Sequence, residues 1–142
     1  MEKTVVLLKP DITTAGKWEY VLEMYEREAE QRGYKVGKQK FLSPMSLAMI
    51  DEFYREHLAA DFYQGLRNFM AQGLVIAICI EGDGVVAWVR QLNGATDPAR
   101  AEEGTMRRRF GTDIRRNAVH GSATPADAER EFQIIWPGAE QK

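Results

Sequence analysis

Hydrophobic positions form two kinds of pattern along the chain, continuous runs and helical repeats. Residues 4–8 and 74–80 are nearly continuous apolar runs rich in β-branched side chains, which predicts two strands buried on both faces. Residues 34–42 are predicted to form a further strand. Two other segments repeat apolar residues every three or four positions, which predicts amphipathic helices. These positions are Trp18, Val21, Leu22, Tyr25 and Ala29 in the first segment and Val85, Val86, Val89 and Leu92 in the second. Gly33 and Asn93-Gly94 are typical helix ends.

Turn and capping residues predict the remaining elements. Residues 43–57 and 61–71 are each expected to be helical, and residues 95–104 are expected to form a long surface loop. Thr124, followed by a proline and then an acid at Asp127, is typical of a helix start. Strands and helices therefore alternate, which predicts an α/β sandwich with helices against a small sheet. The pattern alone leaves a parallel and an antiparallel sheet equally open.

Size and charge limit the classes of function. The chain has 142 residues, a net charge of -2 and one cysteine, Cys79. This length predicts one domain over residues 1–142, and the charge gives no overall attraction to nucleic acid or an anionic membrane. A single cysteine cannot form an internal disulfide and fits a reducing compartment. The chain shows no signal peptide and no apolar run near the ~20 residues of a membrane span. We therefore expect a soluble cytoplasmic protein that does not enter membranes.

One of the two histidines has neighbours that suggest chemistry. His57 lies in a charged segment, where an ordinary surface histidine is the simplest interpretation. His120 instead follows Arg116 and Asn117 and precedes Gly121-Ser122. Polar donors, a glycine that permits close backbone approach and a nearby helix N-terminus are typical of an anion site. A neutral imidazole in such a site can accept a phosphoryl group.

Other basic residues are candidates for the same anion site. Lys9 ends the first predicted strand, and Arg90 lies on the polar side of its helix. Arg107 begins a basic run with Arg108 and Arg109, and a solvated surface is the simpler interpretation for the last two. The sequence contains no P-loop and no Gly-x-Gly-x-x-Gly motif. A phosphate site would therefore have to use side chains and a metal.

Several short segments carry motifs in a recognisable order. The first is Val6-Leu7-Leu8-Lys9-Pro10-Asp11, and the last is Arg116-Asn117-Ala118-Val119-His120-Gly121-Ser122, which contains Asn-x-x-His-Gly-Ser. Between them lie residues 61–66, Glu81-Gly82, residues 94–98 and residues 104–107. Together they resemble the nucleoside diphosphate kinase family over about residues 3–136. The chain is identified as a divergent member of that family.

The resemblance implies a fold and an activity. The implied fold is a ferredoxin-like sandwich of the α/β (α+β) class, with a small antiparallel sheet covered by helices. The implied activity is ping-pong transfer of the γ-phosphoryl group from a nucleoside triphosphate to a nucleoside diphosphate through a phosphohistidine. Mg²⁺ would be held mainly by the nucleotide phosphates, with no protein metal ligands. The implied partners are nucleoside tri- and diphosphates and further copies of the chain, in a dimer at least, with a tetramer or hexamer as the larger assembly.

The resemblance also implies a role for each site residue. His120 would be the nucleophile, and Glu131 and Ser122 would hold it in place. Phe62 and Ile114 would lie on either side of the base, and stacking there would not depend on base identity. The full set implied to bind the substrate is Lys9, Tyr54, Phe62, Arg90, Thr96, Arg107, Ile114 and Asn117. Either ring nitrogen of His120 remains a candidate for phosphorylation.

The chain departs from the family pattern at several positions. The departures are Ile12 for a glycine, Ala60 and Asp61 for an arginine and a proline, Ala123 for an acid, and Arg108, Arg109 and Arg115 for small or acidic residues. They motivate an alternative, a catalytically weak nucleotide-binding or regulatory protein on the same fold. A nucleic-acid-binding module that uses the arginines between residues 107 and 116 is a second alternative, which the overall acidity disfavours.

Overall fold

A small sheet lies at the centre of the molecule. A computed structural model describes residues 1–139; residues 140–142, the end of the predicted domain, lie outside the described residues. The strands are β1 (Lys3–Leu8), β2 (Lys35–Leu42), β3 (Val75–Glu81) and β4 (Val119–Gly121). Within residues 1–139 they form one antiparallel sheet in the order β2-β3-β1-β4. The antiparallel pairing decides what the hydrophobic pattern left open and confirms the implied ferredoxin-like fold.

Helices cover both faces of the sheet. They are α1 (Pro10–Thr14), α2 (Trp18–Arg32), α3 (Leu47–Phe53), α4 (Tyr63–Met70), α5 (Val85–Asn93), α6 (Met106–Phe110) and α7 (Pro125–Ile135). Short 3₁₀ turns occur at Arg55–His57 and Pro98–Arg100. In the part of the chain that the structure describes, no helix is both long enough and apolar enough to span a bilayer.

The two central strands divide the core into two layers. Successive side chains of a strand point to opposite faces. Val6 and Leu8 of β1 therefore pack with residues of α2 and α5, including Tyr25. Val5 and Leu7 pack on the other face, with residues of α3, α4 and α7. This double coverage confirms that the continuous apolar runs are strands buried on both faces.

The predicted helix over residues 43–57 was wrong in its extent. The Ser46 hydroxyl accepts a hydrogen bond from the Met49 amide at 3.1 Å, so α3 begins only after Ser46. Pro44 disfavours helical backbone at Ser43, the residue before it, so the helix does not begin there. The helix ends at Phe53, and a separate 3₁₀ turn follows it.

Capping residues predicted the ends of other helices more accurately than the predicted extent of residues 43–57. The Thr124 hydroxyl accepts from the Asp127 amide at 3.1 Å, which confirms the predicted start of α7. Gly33 ends α2 with a φ of 75°, a left-handed conformation that favours glycine. The elements α1, α6 and β4 were not predicted, because runs of three to five residues are too short to show a hydrophobic period.

Candidate active site

The pairing of β4 with β1 brings the two ends of the site together. His120 on β4 lies opposite Leu7 on β1. Lys9 directly follows β1, and its amide donates to the Ala118 carbonyl at 2.9 Å. The Ala118 amide donates in turn to Asp11 Oδ2 at 3.0 Å. Ala118 has a φ of 76°, the only positive value among non-glycine residues within 1–139. Bonds on both sides hold this backbone turn directly before His120.

A buried carboxylate holds one nitrogen of His120. Glu131 Oε1 lies 2.9 Å from His120 Nε2 and accepts from the Ser122 hydroxyl at 2.8 Å. The Ser122 oxygen also accepts from the Val5 amide at 3.0 Å, which ties this group to β1. Because an ionised carboxylate only accepts hydrogen bonds, Nε2 carries the proton in the neutral ring. The lone pair is therefore left on Nδ1.

Aromatic side chains fix the plane of the imidazole. The Phe53 ring lies 4.9 Å from the His120 ring at an angle of 68° between the planes. Tyr54 contacts the same ring at 6.2 Å and 81°. Burial raises the pKa of Tyr54, so its hydroxyl remains a neutral hydrogen-bond donor at physiological pH.

A buried lysine supplies positive charge beside His120. Lys9 is only 5% exposed, and its Nζ donates to Asn117 Oδ1 and to the Arg115 carbonyl, both at 2.8 Å. Burial lowers the pKa of Lys9 to about 8, and the Asp11 carboxylate opposes this shift. At pH 7 the ammonium is thus charged but poorly hydrated, a state in which an anion is bound well.

Side-chain bonds join the loop after α5 to β4. The side-chain amide of Asn117 donates through Nδ2 to the Thr96 carbonyl at 3.0 Å. The Arg107 guanidinium donates to the Gly94 carbonyl at 2.8 Å and to the Val119 carbonyl at 3.0 Å. Burial lowers the pKa of Arg107, which nevertheless remains a cation at physiological pH. The loop and His120 therefore hold a fixed relative position.

These groups line one cleft of about 1120 Å³. The predicted residues in its lining are Lys9, Tyr54, Phe62, Arg90, Thr96, Arg107, Ile114, Asn117 and His120. The remaining two, Ser122 and Glu131, are buried and bonded to each other, and Glu131 also contacts His120. Phe62 is 53% exposed and Ile114 is 63% exposed, so the cleft has two uncovered apolar side chains. The structure brings every predicted site residue together.

The cleft also contains residues that the sequence did not single out as ligands. The His57 ring lies 5.4 Å from the Phe62 ring, and both line the cleft, although the sequence suggested an ordinary surface histidine. His57 follows Tyr54 by one helical turn, which is the signal that could have located it. Arg115 and Arg116 line the cleft as well. Arg116 belongs to the polar donors that the sequence pattern placed before His120, and neither arginine was given a ligand role there.

The two other arginines of the basic run lie on the surface. Arg108 and Arg109 are exposed and are not among the residues that line the cleft. Arg109 donates to the Tyr20 hydroxyl at 3.1 Å, and Arg108 donates to the Ala99 carbonyl at 3.2 Å. These positions agree with the interpretation of both residues as a solvated surface.

The acidic residues of the cleft already have partners. Asp113 accepts from the Arg116 guanidinium at 2.9 Å, and Asp97 accepts from the Ala99 amide at 3.0 Å. Within residues 1–139, no three histidine, cysteine, aspartate or glutamate side chains are grouped so that they could hold a metal ion.

Comparison with known proteins gives one consistent family. A sequence model of nucleoside diphosphate kinase matches residues 2–141. The chain is 41% identical to a nucleoside diphosphate kinase of a Nocardioides species, with 96% of this chain and 97% of the relative covered. It is 39% identical to the same protein of Thermus thermophilus, with 96% of each chain covered.

Solved structures agree with the sequence comparison. The nucleoside diphosphate kinase of Aquifex aeolicus superposes with a TM-score of 0.87 at 31% identity, covering 96% of each chain. The apo enzyme of Encephalitozoon cuniculi gives a TM-score of 0.87 at 27% identity, covering 98% of this chain and 90% of the other. The likeness therefore extends over almost the whole chain.

Proposed function

This chain belongs to the nucleoside diphosphate kinase family, and we propose that its cleft moves the γ-phosphoryl group between nucleotides by way of His120. The enzyme class follows from the family: the chain is a phosphotransferase that acts between nucleoside tri- and diphosphates. The observation that carries the proposal for His120 is its bond to buried Glu131 inside a cationic cleft.

Nδ1 of His120 is the nucleophile in this proposal. Its lone pair forms a bond to the γ-phosphorus, and the bond from that phosphorus to the β,γ-bridging oxygen breaks. The electron pair leaves with the nucleoside diphosphate. The phosphorylated ring keeps its proton on Nε2, where the Glu131 carboxylate stabilises the added positive charge. An acceptor diphosphate then attacks the phosphorus through a terminal oxygen, and the P–N bond breaks to restore the neutral ring.

Cationic side chains stabilise the transferred group. Charge spreads over the equatorial oxygens of the phosphoryl group in the transition state, and fixed cations bind it more strongly where water is excluded. Lys9, Arg90 and Arg107 line the cleft together with His120 and would supply these cations. Asn117 and Thr96 would position the phosphates and ribose.

Mg²⁺ is the cofactor that we propose for the reaction. It would neutralise charge on the β- and γ-phosphates when bound. The donor set fits an ion that arrives on the nucleotide, because lysine and arginine side chains can bind the phosphates while Asp97 and Asp113 already have partners. No protein carboxylate is needed as a ligand.

The base would lie between Phe62 and Ile114. Both side chains are more than half exposed and line the same cleft, so a flat ring can cover both. Stacking on an aromatic face does not depend on the base, so adenine, guanine, uracil and cytosine nucleotides should all serve. Purines should be preferred through their larger stacking area.

The experiment for the proposed function is transfer of labelled phosphate. Incubation with γ-labelled ATP should label the chain, and the label should be acid-labile and base-stable, as a phosphohistidine is. His120→Ala should abolish labelling and transfer while ADP still binds. Substantial turnover by that variant would remove His120 as the nucleophile. A wild-type chain that binds ADP but takes no label would instead favour the weak regulatory alternative.

We propose that the chain acts in the cytoplasm as a homo-oligomer, a dimer at least. The buried free thiol of Cys79 is compatible with a reducing compartment. The edge strand β2 supports association, because most of its residues are exposed or half-buried and, within residues 1–139, only one side of its backbone pairs with another strand.

A further inference from the structure

We propose that Arg115 is a further nucleotide-binding residue, which binds the phosphate next to the ribose from a wall of the cleft that has no cation of its own. The inference rests on the proposed function, because it adds a contact to the same nucleotide. It concerns one of the positions where the chain departs from its family pattern.

One wall of the cleft comes from residues 54–70. Its lining side chains are Tyr54, His57, Phe62 and Leu66, and among the described residues of this wall none that line the cleft is a lysine or an arginine. Lys9, Arg90 and Arg107 come from other elements. A nucleotide in the cleft would therefore have an uncharged wall along this side.

The Arg115 side chain crosses to that wall. A Cβ atom added to Gly65 of α4 would lie 2.1 Å from Arg115 Nη2 and 2.6 Å from its Cζ. The guanidinium thus rests directly on the α4 backbone, at a position where any larger residue would displace it. Gly65 is the feature that allows this contact.

The backbone of Arg115 is fixed while its charge is not neutralised. Its carbonyl accepts from Lys9 Nζ at 2.8 Å, and its amide donates to Asp113 Oδ1 at 3.0 Å. The same aspartate pairs with the guanidinium of Arg116 at 2.9 Å. The Arg115 guanidinium, in contrast, has no hydrogen-bond or ion-pair partner within residues 1–139. It is a charged group held in place and available to an anion.

The position of Arg115 indicates which part of the nucleotide it meets. Arg115 follows Ile114 in the chain, and Gly65, which its guanidinium contacts, follows Phe62 by three residues. The guanidinium therefore lies beside the proposed position of the base, between Phe62 and Ile114. Its carbonyl is bonded to Lys9, which we place at the phosphates. A cation between the base and the terminal phosphates meets the first phosphate after the ribose.

The test compares a charged ligand with an uncharged one. We would measure dissociation constants of ADP and adenosine for the wild type, Arg115→Met, Arg115→Lys and Gly65→Ala. Arg115→Met should weaken ADP binding about tenfold, the size of a charge-assisted hydrogen bond on an exposed side chain, and should leave adenosine binding unchanged. Arg115→Lys should recover part of the loss. Gly65→Ala should weaken ADP in the same way, because the added methyl displaces the guanidinium.

Matched measurements keep the outcomes distinct. Arg27→Met removes an equally positive side chain from α2, where Arg27 is exposed and pairs with Glu23, and should leave ADP binding unchanged. Unaltered ADP affinity in Arg115→Met would overturn the proposal. An equal loss of affinity for adenosine would also overturn it, because Arg115 would then contact the base or ribose. Labelling of His120 by ATP in the wild type is the separate measurement for the proposed function. Failure of labelling in the wild type would count against the proposed function alone, since the ADP comparison would still decide the role of Arg115.

Discussion

At the scale of single residues, the site depends on which proton each group holds. Glu131 fixes the tautomer of His120 through a 2.9 Å contact, and Ser122 fixes Glu131 through a 2.8 Å bond. Burial lowers the pKa of Lys9, so its ammonium group loses its proton more easily than that of an exposed lysine. The mechanism that we propose uses a neutral histidine and a charged lysine in the same cleft.

The first prediction concerns Glu131. Glu131→Gln keeps an oxygen that can accept from Nε2 but removes the charge that we propose stabilises the phosphorylated ring. We expect kcat to fall roughly 10- to 100-fold, the usual size of such indirect effects, with KM for ADP nearly unchanged. Glu129→Gln, on the exposed side of α7, is the matched control and should keep wild-type kcat. A large rise in KM without a fall in kcat would contradict the assigned role.

The second prediction concerns Lys9 and pH. A bound phosphate favours the ammonium form and raises the pKa of Lys9 above about 8, its value in the protein without a ligand. Binding of ADP at pH 8 should therefore take up as much as about half a proton, and affinity should weaken as pH rises through 8. Calorimetry in buffers of different ionisation enthalpy measures this uptake. Lys9→Arg, which stays charged, should show none, and equal uptake in that variant would assign the proton elsewhere.

At the scale of elements, caps and strand pairing place the site residues. α7 carries Glu131, and Thr124 caps its start. β4 carries His120 and is a short strand that depends on its pairing with β1. A change at either position should therefore act on stability and on the catalytic geometry together.

The third prediction concerns the Thr124 cap. Thr124→Ala leaves the Asp127 amide without its side-chain acceptor, and we expect the free energy of unfolding to fall by about 1 kcal/mol. Urea denaturation followed by circular dichroism measures the change. Thr124→Ser keeps the hydroxyl and should stay within a few tenths of a kcal/mol of the wild type. Equal losses in the two variants would show that the threonine acts through its methyl group rather than as a cap.

How far the sequence predicted these elements depended on their length and on local chemistry. β1 and β3 contain the continuous apolar runs 5–8 and 75–80, and α7 begins after a threonine cap, so each carries a local signal. The three residues of β4 carry none, because their strand conformation comes from pairing with β1. Motifs named the site residues in advance. The crossing of Arg115 to Gly65 could not be predicted, since it depends on how two distant segments pack.

At the scale of the whole molecule, the sheet that residues 1–139 form has one long edge strand. β2 is an outer strand of eight residues, and Phe41 on it is 52% exposed, with its ring 5.2 Å from that of Trp18. An exposed edge strand with aromatic side chains is a ready surface for a second copy of the chain.

The fourth prediction tests the assembly that we propose. Light scattering during size-exclusion chromatography should give the wild type a mass of at least twice the 16.2 kDa of one chain. Phe41→Lys should shift the mass toward that of a single chain, because a charge at the interface is costly to bury. Leu58→Lys changes an equally exposed apolar residue away from β2 and should keep the wild-type mass. A wild-type mass near 16.2 kDa at micromolar concentration would exclude the oligomer.

The pairing of β1 with β4 also has a consequence for biosynthesis. Val5 and Ser122, which share a hydrogen bond, stand 117 positions apart in the chain, and Glu131 comes later still. Contacts between such distant positions form late, because the entropy of closing the intervening loop opposes them. A nascent polypeptide on the ribosome therefore cannot hold an assembled histidine site until residue 131 has emerged from the exit tunnel. A fragment from synthesis that stops earlier lacks Glu131 and therefore cannot form the contact with His120.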